Sequence, residues 1–131
     1  MNTLPEKQLT ALKEWMAQRK SRLINEIREV LARSGNAHHA EQVGEVGSMG
    51  DEAAARLLRD ISEAEVLRDI GEVRDITAAE QRIAEGRYGL CTDCAAPVGY
   101  ERLKAYPSAK RCMPCQQRRE KNRAPPKHYG Y

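Results

Sequence analysis

The chain has no phenylalanine, one tryptophan and only 5% aromatic residues in 131 positions, which leaves little material for a large core. It also lacks any apolar run near the ~20 residues that a membrane-spanning helix needs, so no membrane association is expected. Its first ten residues, MNTLPEKQLT, have neither the basic nor the apolar segment of a secretory leader. A soluble, unprocessed, cytoplasmic protein is therefore expected. The sequence offers no phosphate-cradling glycine loop, no nucleophile with an identifiable base and no metal site with an open position, which argues against an enzyme. Charge, by contrast, is plentiful at 31% of residues, and the mean hydropathy is −0.72. That balance favours long amphipathic helices.

Two segments carry such a pattern. From about residue 4 to 33, Leu9, Met16, Leu23 and Val30 recur every seven residues, with Leu12, Ile24, Ile27 and Leu31 filling the same stripe. Pro5 suits the first turn, and Ser34 with Gly35 supplies a stop. From about 51 to 85, Leu57, Leu58, Ile61, Val66, Ile70, Val73, Ile76 and Ile83 mark one side of a second helix, with Gly71 its weakest point. Neither stripe can be buried alone, so an antiparallel two-helix coiled-coil hairpin over residues 1–86 is the economical solution. A helical bundle or a homodimer built on the same stripes is the alternative.

Residues 34–50, SGNAHHAEQVGEVGSMG, contain four glycines and little periodicity, and are expected to be the loop at the hairpin tip. The adjacent His38 and His39 have no cysteine or third histidine near them in sequence, so a solvated loop is expected there and no metal. At the exit from this loop, Ser48-x-x-Asp51 has the form of a capping box, and Asp51 and Glu52 suit the positive end of a helix dipole.

The charge divides along the chain. Residues 1–86 hold twelve basic and sixteen acidic groups, formally −4, whereas residues 87–131 hold ten and three, formally +7. The basic C-terminal part is a candidate for contact with nucleic acid or with an acidic protein surface. Arg118, Arg119, Lys121 and Arg123 lie on a short helical stretch that Pro125 and Pro126 should end. Glu120 interrupts it and no aromatic pattern for reading bases accompanies it, so a solvated face is an equal reading.

All four cysteines fall in two C-x2-C pairs, Cys91 with Cys94 and Cys112 with Cys115, separated by residues 95–111. Two such knuckles can complete a tetrahedral all-sulfur shell around Zn(II), at Zn–S distances near ~2.3 Å. Disulfides or free thiols are the alternative, and the spacing together with the missing leader favours zinc. Four thiolates leave no vacant position, so one structural Zn2+ per chain is expected in a module spanning 87–131.

The run RYGLCTDCAAPVGYERLKAYPSAKRCMPCQQRRE, Arg87 to Glu120, resembles the four-cysteine zinc finger of the DksA/TraR family of bacterial transcription regulators, including Gly99, Arg102, Leu103 and the Tyr106-Pro107 pair. The two long helices are similar in layout to that family's coiled coil. The resemblance implies that the chain binds RNA polymerase directly, inserts its coiled-coil tip into the secondary channel and modulates initiation without catalysing a reaction. It further implies a tip motif D-x-x-D-x-A, which falls here on Ser48, Asp51 and Ala53, with serine in place of the first aspartate. Some members act with ppGpp; the matching positions here are Asp75, Arg102, Tyr106 and Gln116, of which only Arg102 is a cation, so weak or absent ppGpp synergy is implied. A monomer with no sequence-specific DNA binding is expected. The rival readings are a zinc-ribbon DNA-binding protein and a coiled-coil adaptor with structural zinc.

Overall fold

The computed structural model describes residues 4–122; Arg123, Pro125 and Pro126 of the basic tail lie outside the described residues. The described residues are mainly helical: α1 (Glu6–Arg33), α2 (Ala37–Ala40), a 3-10 turn (Val43–Ser48), α3 (Asp51–Arg59), α4 (Ala64–Ala84), α5 (Tyr100–Ala105) and α6 (Met113–Lys121). Among them the only extended pairing is an isolated antiparallel bridge between Leu90 and Pro97.

The chain forms two compact units, and the division does not fall at Gly86. Among the described residues, one unit is Ala17–Thr77 and the other joins 4–16 to 78–122. The second unit reaches back because its core takes Leu12, Met16 and Ala79 from the long helices together with Tyr88, Val98 and Leu103 from the cysteine-rich segment.

In the unit Ala17–Thr77, α1 and α4 run antiparallel. Arg19 makes a two-pronged contact with Glu72, Nε to Oε2 at 2.7 Å and Nη2 to Oε1 at 2.9 Å. Further along α1, Glu26 lies near Asp69, whose carboxyl is pushed above the usual range by burial and then by Glu26. At the end of α1, Ser34 and Asn36 face Glu63 and, the Ser34 hydroxyl foremost, hold its carboxyl below that range. Leu23, Ile27 and Leu31 from α1 and Val66, Ile70, Val73 and Ile76 from α4 are buried, as the apolar spacing predicts.

The connection between these helices differs from the expected loop. Residues 37–48 are helical turns, and Val43 and Val46 are fully buried, as are Ala54 and Leu57 of α3 within a few per cent. His39 is buried rather than solvated, with its ring 3.9 Å from that of His38 and its Nε2 3.6 Å from Asp60 Oδ2. The glycine-rich composition conceals a V-x-x-V spacing that places both valines on one side of a 3-10 turn.

The second helix is likewise not continuous. It breaks at Asp60–Glu63, between α3 and α4, while Gly71 lies inside an unbroken α4 with open space where a side chain would project. Burial of Ala54, Leu57 and Ile61 is what the break permits, because α3 can then fold back beside α4.

Candidate metal centre

The first knuckle is shaped by a tight turn. Ala95 takes φ 65°, its N–H donates to the Cys91 carbonyl at 2.9 Å, and the Cys91 N–H donates to the Ala96 carbonyl at 2.8 Å. This folds Cys94 back over Cys91. The Thr92 N–H donates to the Lys110 carbonyl at 2.8 Å, which ties the turn to the approach of the second pair.

The second knuckle opens a helix. Cys112 occupies the N-cap position of α6, Pro114 is in the first turn where a missing N–H costs nothing, and Cys115 follows one residue later. Both sulfurs thus stand at the positive end of a helix dipole, which favours thiolate over thiol.

The four sulfurs of Cys91, Cys94, Cys112 and Cys115 lie within 4.8 Å of one another. Cys94 Sγ and Cys112 Sγ are 3.8 Å apart. A tetrahedron with Zn–S bonds near ~2.3 Å has sulfur–sulfur edges of about 3.8 Å, so the donor set and its spacing fit one Zn(II) in a closed shell. A sulfur–sulfur bond near ~2.05 Å does not fit that separation. The crowding also sets the thiols against each other's ionisation. Hydrogen bonding with Cys112 and burial push Cys115 up to about 12, whereas Cys91, which burial pushes up, is brought down to about 6 by the backbone N–H groups of Cys112, Cys94 and Asp93. A bound dication would favour all four thiolates.

Around the sulfurs lies a ring of contacts that the spacing of cysteines did not reveal. Asp93, between the first two ligands, accepts from Arg111 Nε at 3.1 Å and from Arg119 Nε at 3.2 Å through the same oxygen. Burial pushes its carboxyl up, but hydrogen bonding to Arg119 and the charges of Arg111 and Arg119 hold it below the usual range. Arg118 Nη2 lies 3.5 Å from Cys115 Sγ, and the Asp93 N–H lies 3.4 Å from Cys91 Sγ. Four thiolates and one Zn(II) carry a formal −2, which these donors offset. The sequence signal for the ring is the acidic residue inside C-T-D-C, which finds its partners in Arg111, just before Cys112, and in Arg119 of α6.

The module is braced beneath the knuckles by Arg82 and Tyr88. The Arg82 guanidinium continues the buried stripe of α4 and reaches the Ser108 and Ala109 carbonyls at 3.4 and 3.5 Å. Tyr88 donates to the Pro107 carbonyl. Gly99, at φ +102°, turns the chain into α5, a short helix that the sequence pattern did not disclose. Arg102 of α5 donates to the Arg111 carbonyl at 3.0 Å and sits 5.6 Å over the Tyr106 ring. The basic residues of the module are thus largely engaged within it, which weakens the reading of Arg118 and Arg119 as phosphate contacts.

The residues of the expected tip fall in the other unit. Asp51 opens α3, fully exposed, with Oδ1 2.8 Å from Arg74 Nη2. The helix is capped at Gly50, not through Ser48, whose hydroxyl instead donates to the Glu45 carbonyl at 3.2 Å. Ala53 is half-buried in α3. Ten residues separate Arg74 from the start of α4, so Asp51 is level with a point about 15 Å along that helix and not at its first turn. The expectation that Asp51 stands at the hairpin's end is corrected on this point: the back-folding of α3, with its buried Ala54 and Leu57, draws it inward along α4.

Comparison with known proteins finds the prokaryotic dksA/traR C4-type zinc finger over residues 86–121. The chain is also similar to the RNA polymerase-binding transcription factor DksA of Caulobacter vibrioides, at 27% identity over 118 residues, covering 88% of this chain and 78% of that protein, in each of two strains. No solved structure matches. The resemblance carried by Arg87 to Glu120 is thus met by a family match over nearly the same residues, and the four cysteines form a cluster that could hold one metal ion.

Proposed function

We propose that this protein is a cytoplasmic transcription regulator that binds RNA polymerase directly and modulates initiation, with no catalytic role of its own. The observation that carries the reading is the four-sulfur centre of a dksA/traR-type finger in a chain similar, over 88% of its length, to a factor named for binding RNA polymerase. Among the described residues no helix is long and apolar enough to cross a membrane. Zinc has a structural task here. It holds the two knuckles, and with them α6, in a segment whose own buried residues are few.

In this reading the helical unit Ala17–Thr77 is the part that enters the polymerase's secondary channel, and the carboxylate of Asp51, with Ala53 and Ser48 nearby, is the group that acts there. An exposed carboxylate on a helix's first turn, here with Glu52 beside it, is well suited to contact a cationic or metal-bearing surface. Synergy with ppGpp is weak or absent. Of Asp75, Arg102, Tyr106 and Gln116, Arg102 alone is cationic, and its guanidinium is already engaged with the Arg111 carbonyl and the Tyr106 ring.

The test is co-purification of the zinc-loaded chain with bacterial RNA polymerase, followed by transcription with purified components. Deleting residues 36–50 would remove the buried Val43 and Val46, so Asp51→Asn is the sharper probe. Binding by both proteins, with the transcriptional effect lost only in the variant, is the expected result. Failure of the wild-type chain to bind polymerase would refute the proposal; an unchanged effect in the variant would refute the role of Asp51.

A further inference from the structure

We infer that residues 37–60 form a strap, latched by Arg74, which holds Asp51 against α4 until binding of the polymerase releases it. The inference rests on the proposed role of Asp51 and adds to it a device that controls when the carboxylate is delivered.

Arg74, in the middle of α4, answers three acceptors on the strap at once. Its Nη1 donates to the Val46 carbonyl at 2.8 Å and to the Met49 carbonyl at 3.1 Å, and its Nη2 to Asp51 Oδ1 at 2.8 Å. Those carbonyls belong to the end of the 3-10 turn and the link to α3, where no helical N–H follows to satisfy them. A planar fork of donors can serve such a set; a lysine's point charge cannot do so equally well.

One close approach, at Gly47, shows that the strap is seated and not merely adjacent. A Cβ on Gly47 would lie 2.2 Å from Thr77 Oγ1 and 3.1 Å from Thr77 Cβ. The Thr77 hydroxyl cannot easily swing away, since it donates to the Val73 carbonyl at 3.0 Å. On the α1 side, Arg28 Nε donates to the Ala40 carbonyl at 3.3 Å, and a Cβ on Gly44 would meet only the movable end of that exposed side chain. Glycine at 47 thus permits contact that any side chain would prevent.

The strap is also able to leave. The link Asp60–Glu63 contains neither proline nor glycine, and α3 is joined to α4 through these four residues alone. Leu57 and Val66, both buried, would lie on opposite sides of one continuous helix, so the link turns the buried side of the chain, and a change of backbone angles within it is enough to swing α3 away from α4. In the docked state Asp51 Oδ1 is paired with Arg74, so a partner that takes up that oxygen must displace the arginine. Such a pre-equilibrium lowers apparent affinity by the fraction of chains that are released.

The experiment compares zinc-loaded wild type, Arg74→Gln and Gly47→Ala by amide hydrogen exchange and by titration with RNA polymerase. Gly47→Ala retains every polar group, so it reports on the strap even if Arg74→Gln folds poorly. Amides of residues 43–57 should exchange about tenfold faster in both variants, those of 91–115 should not change, and both variants should bind polymerase about tenfold more tightly. Unchanged exchange in both variants would overturn the latch. Faster exchange without tighter binding would overturn its inhibitory role while leaving the proposed function intact, provided the wild type binds. Absence of wild-type binding would overturn both.

Discussion

Tyr88, fully buried, donates its hydroxyl to the Pro107 carbonyl across 2.7 Å, joining the strand of chain before the first knuckle to the segment that leads into the second. Tyr88→Phe removes the donor and leaves a buried carbonyl without its partner. The expected loss is about 1–3 kcal/mol of stability, measured by denaturant unfolding of the zinc-loaded protein, with the metal content unchanged.

The same tyrosine sets a limit at high pH. Burial raises its phenol from 10.0 to about 12, against the opposing charge of Arg82. Between about pH 10 and 12 the unfolded chain gives up this proton and the folded chain keeps it. Stability attributable to this group is therefore fully present below pH 10 and falls as pH rises, by about 1.4 kcal/mol per pH unit in that window. Tyr88→Phe should remove this part of the slope in pH-dependent unfolding.

Zinc removal should unfold the finger and spare much of the rest. Chelation under reducing conditions is expected to abolish amide protection over residues 86–121, because binding of a structural zinc supplies on the order of 10 kcal/mol and the segment has few buried residues of its own. Protection over residues 23–31 and 66–76, which lie in the other compact unit, is expected to persist. Exchange mapped before and after chelation checks both.

Asp93 should govern how tightly the metal is kept. Asp93→Ala frees Arg111 and Arg119 and loosens the link between the first knuckle and α6. Zinc transfer to a competing chelator should be about tenfold faster, and four-cysteine stoichiometry should be retained. Because the folded carboxyl lies below its usual range, its contribution is present above the unfolded value of 3.8 and lost as pH falls further; retention of zinc by wild type and variant should therefore converge in acid.

Val46 separates a seated strap from a solvent-exposed loop. In a loop, Val46→Ala would change stability by only a few tenths of a kcal/mol. Buried as it is, the substitution should cost about 2 kcal/mol, read from the denaturation midpoint at constant slope.

The four-cysteine cluster was legible because its information is local and chemical: paired thiols with two residues between them can be placed on one ion whatever the surrounding fold. The apolar spacing of Leu23, Ile27 and Leu31, and of Val66, Ile70, Val73 and Ile76, likewise established two amphipathic helices and which side of each is buried, since a helix's period is a property of its own backbone. What lay beyond reach were contacts between residues far apart in the chain. Nothing near Asp93 names Arg119, nothing near Asp51 names Arg74, and glycines around Val43 and Val46 read as a loop until Thr77 and Arg28 show what they approach. The helix break at residues 60–63 has the same origin. Leu57 and Val66 would face opposite sides of one continuous helix, and both are buried only because α3 folds back at this link.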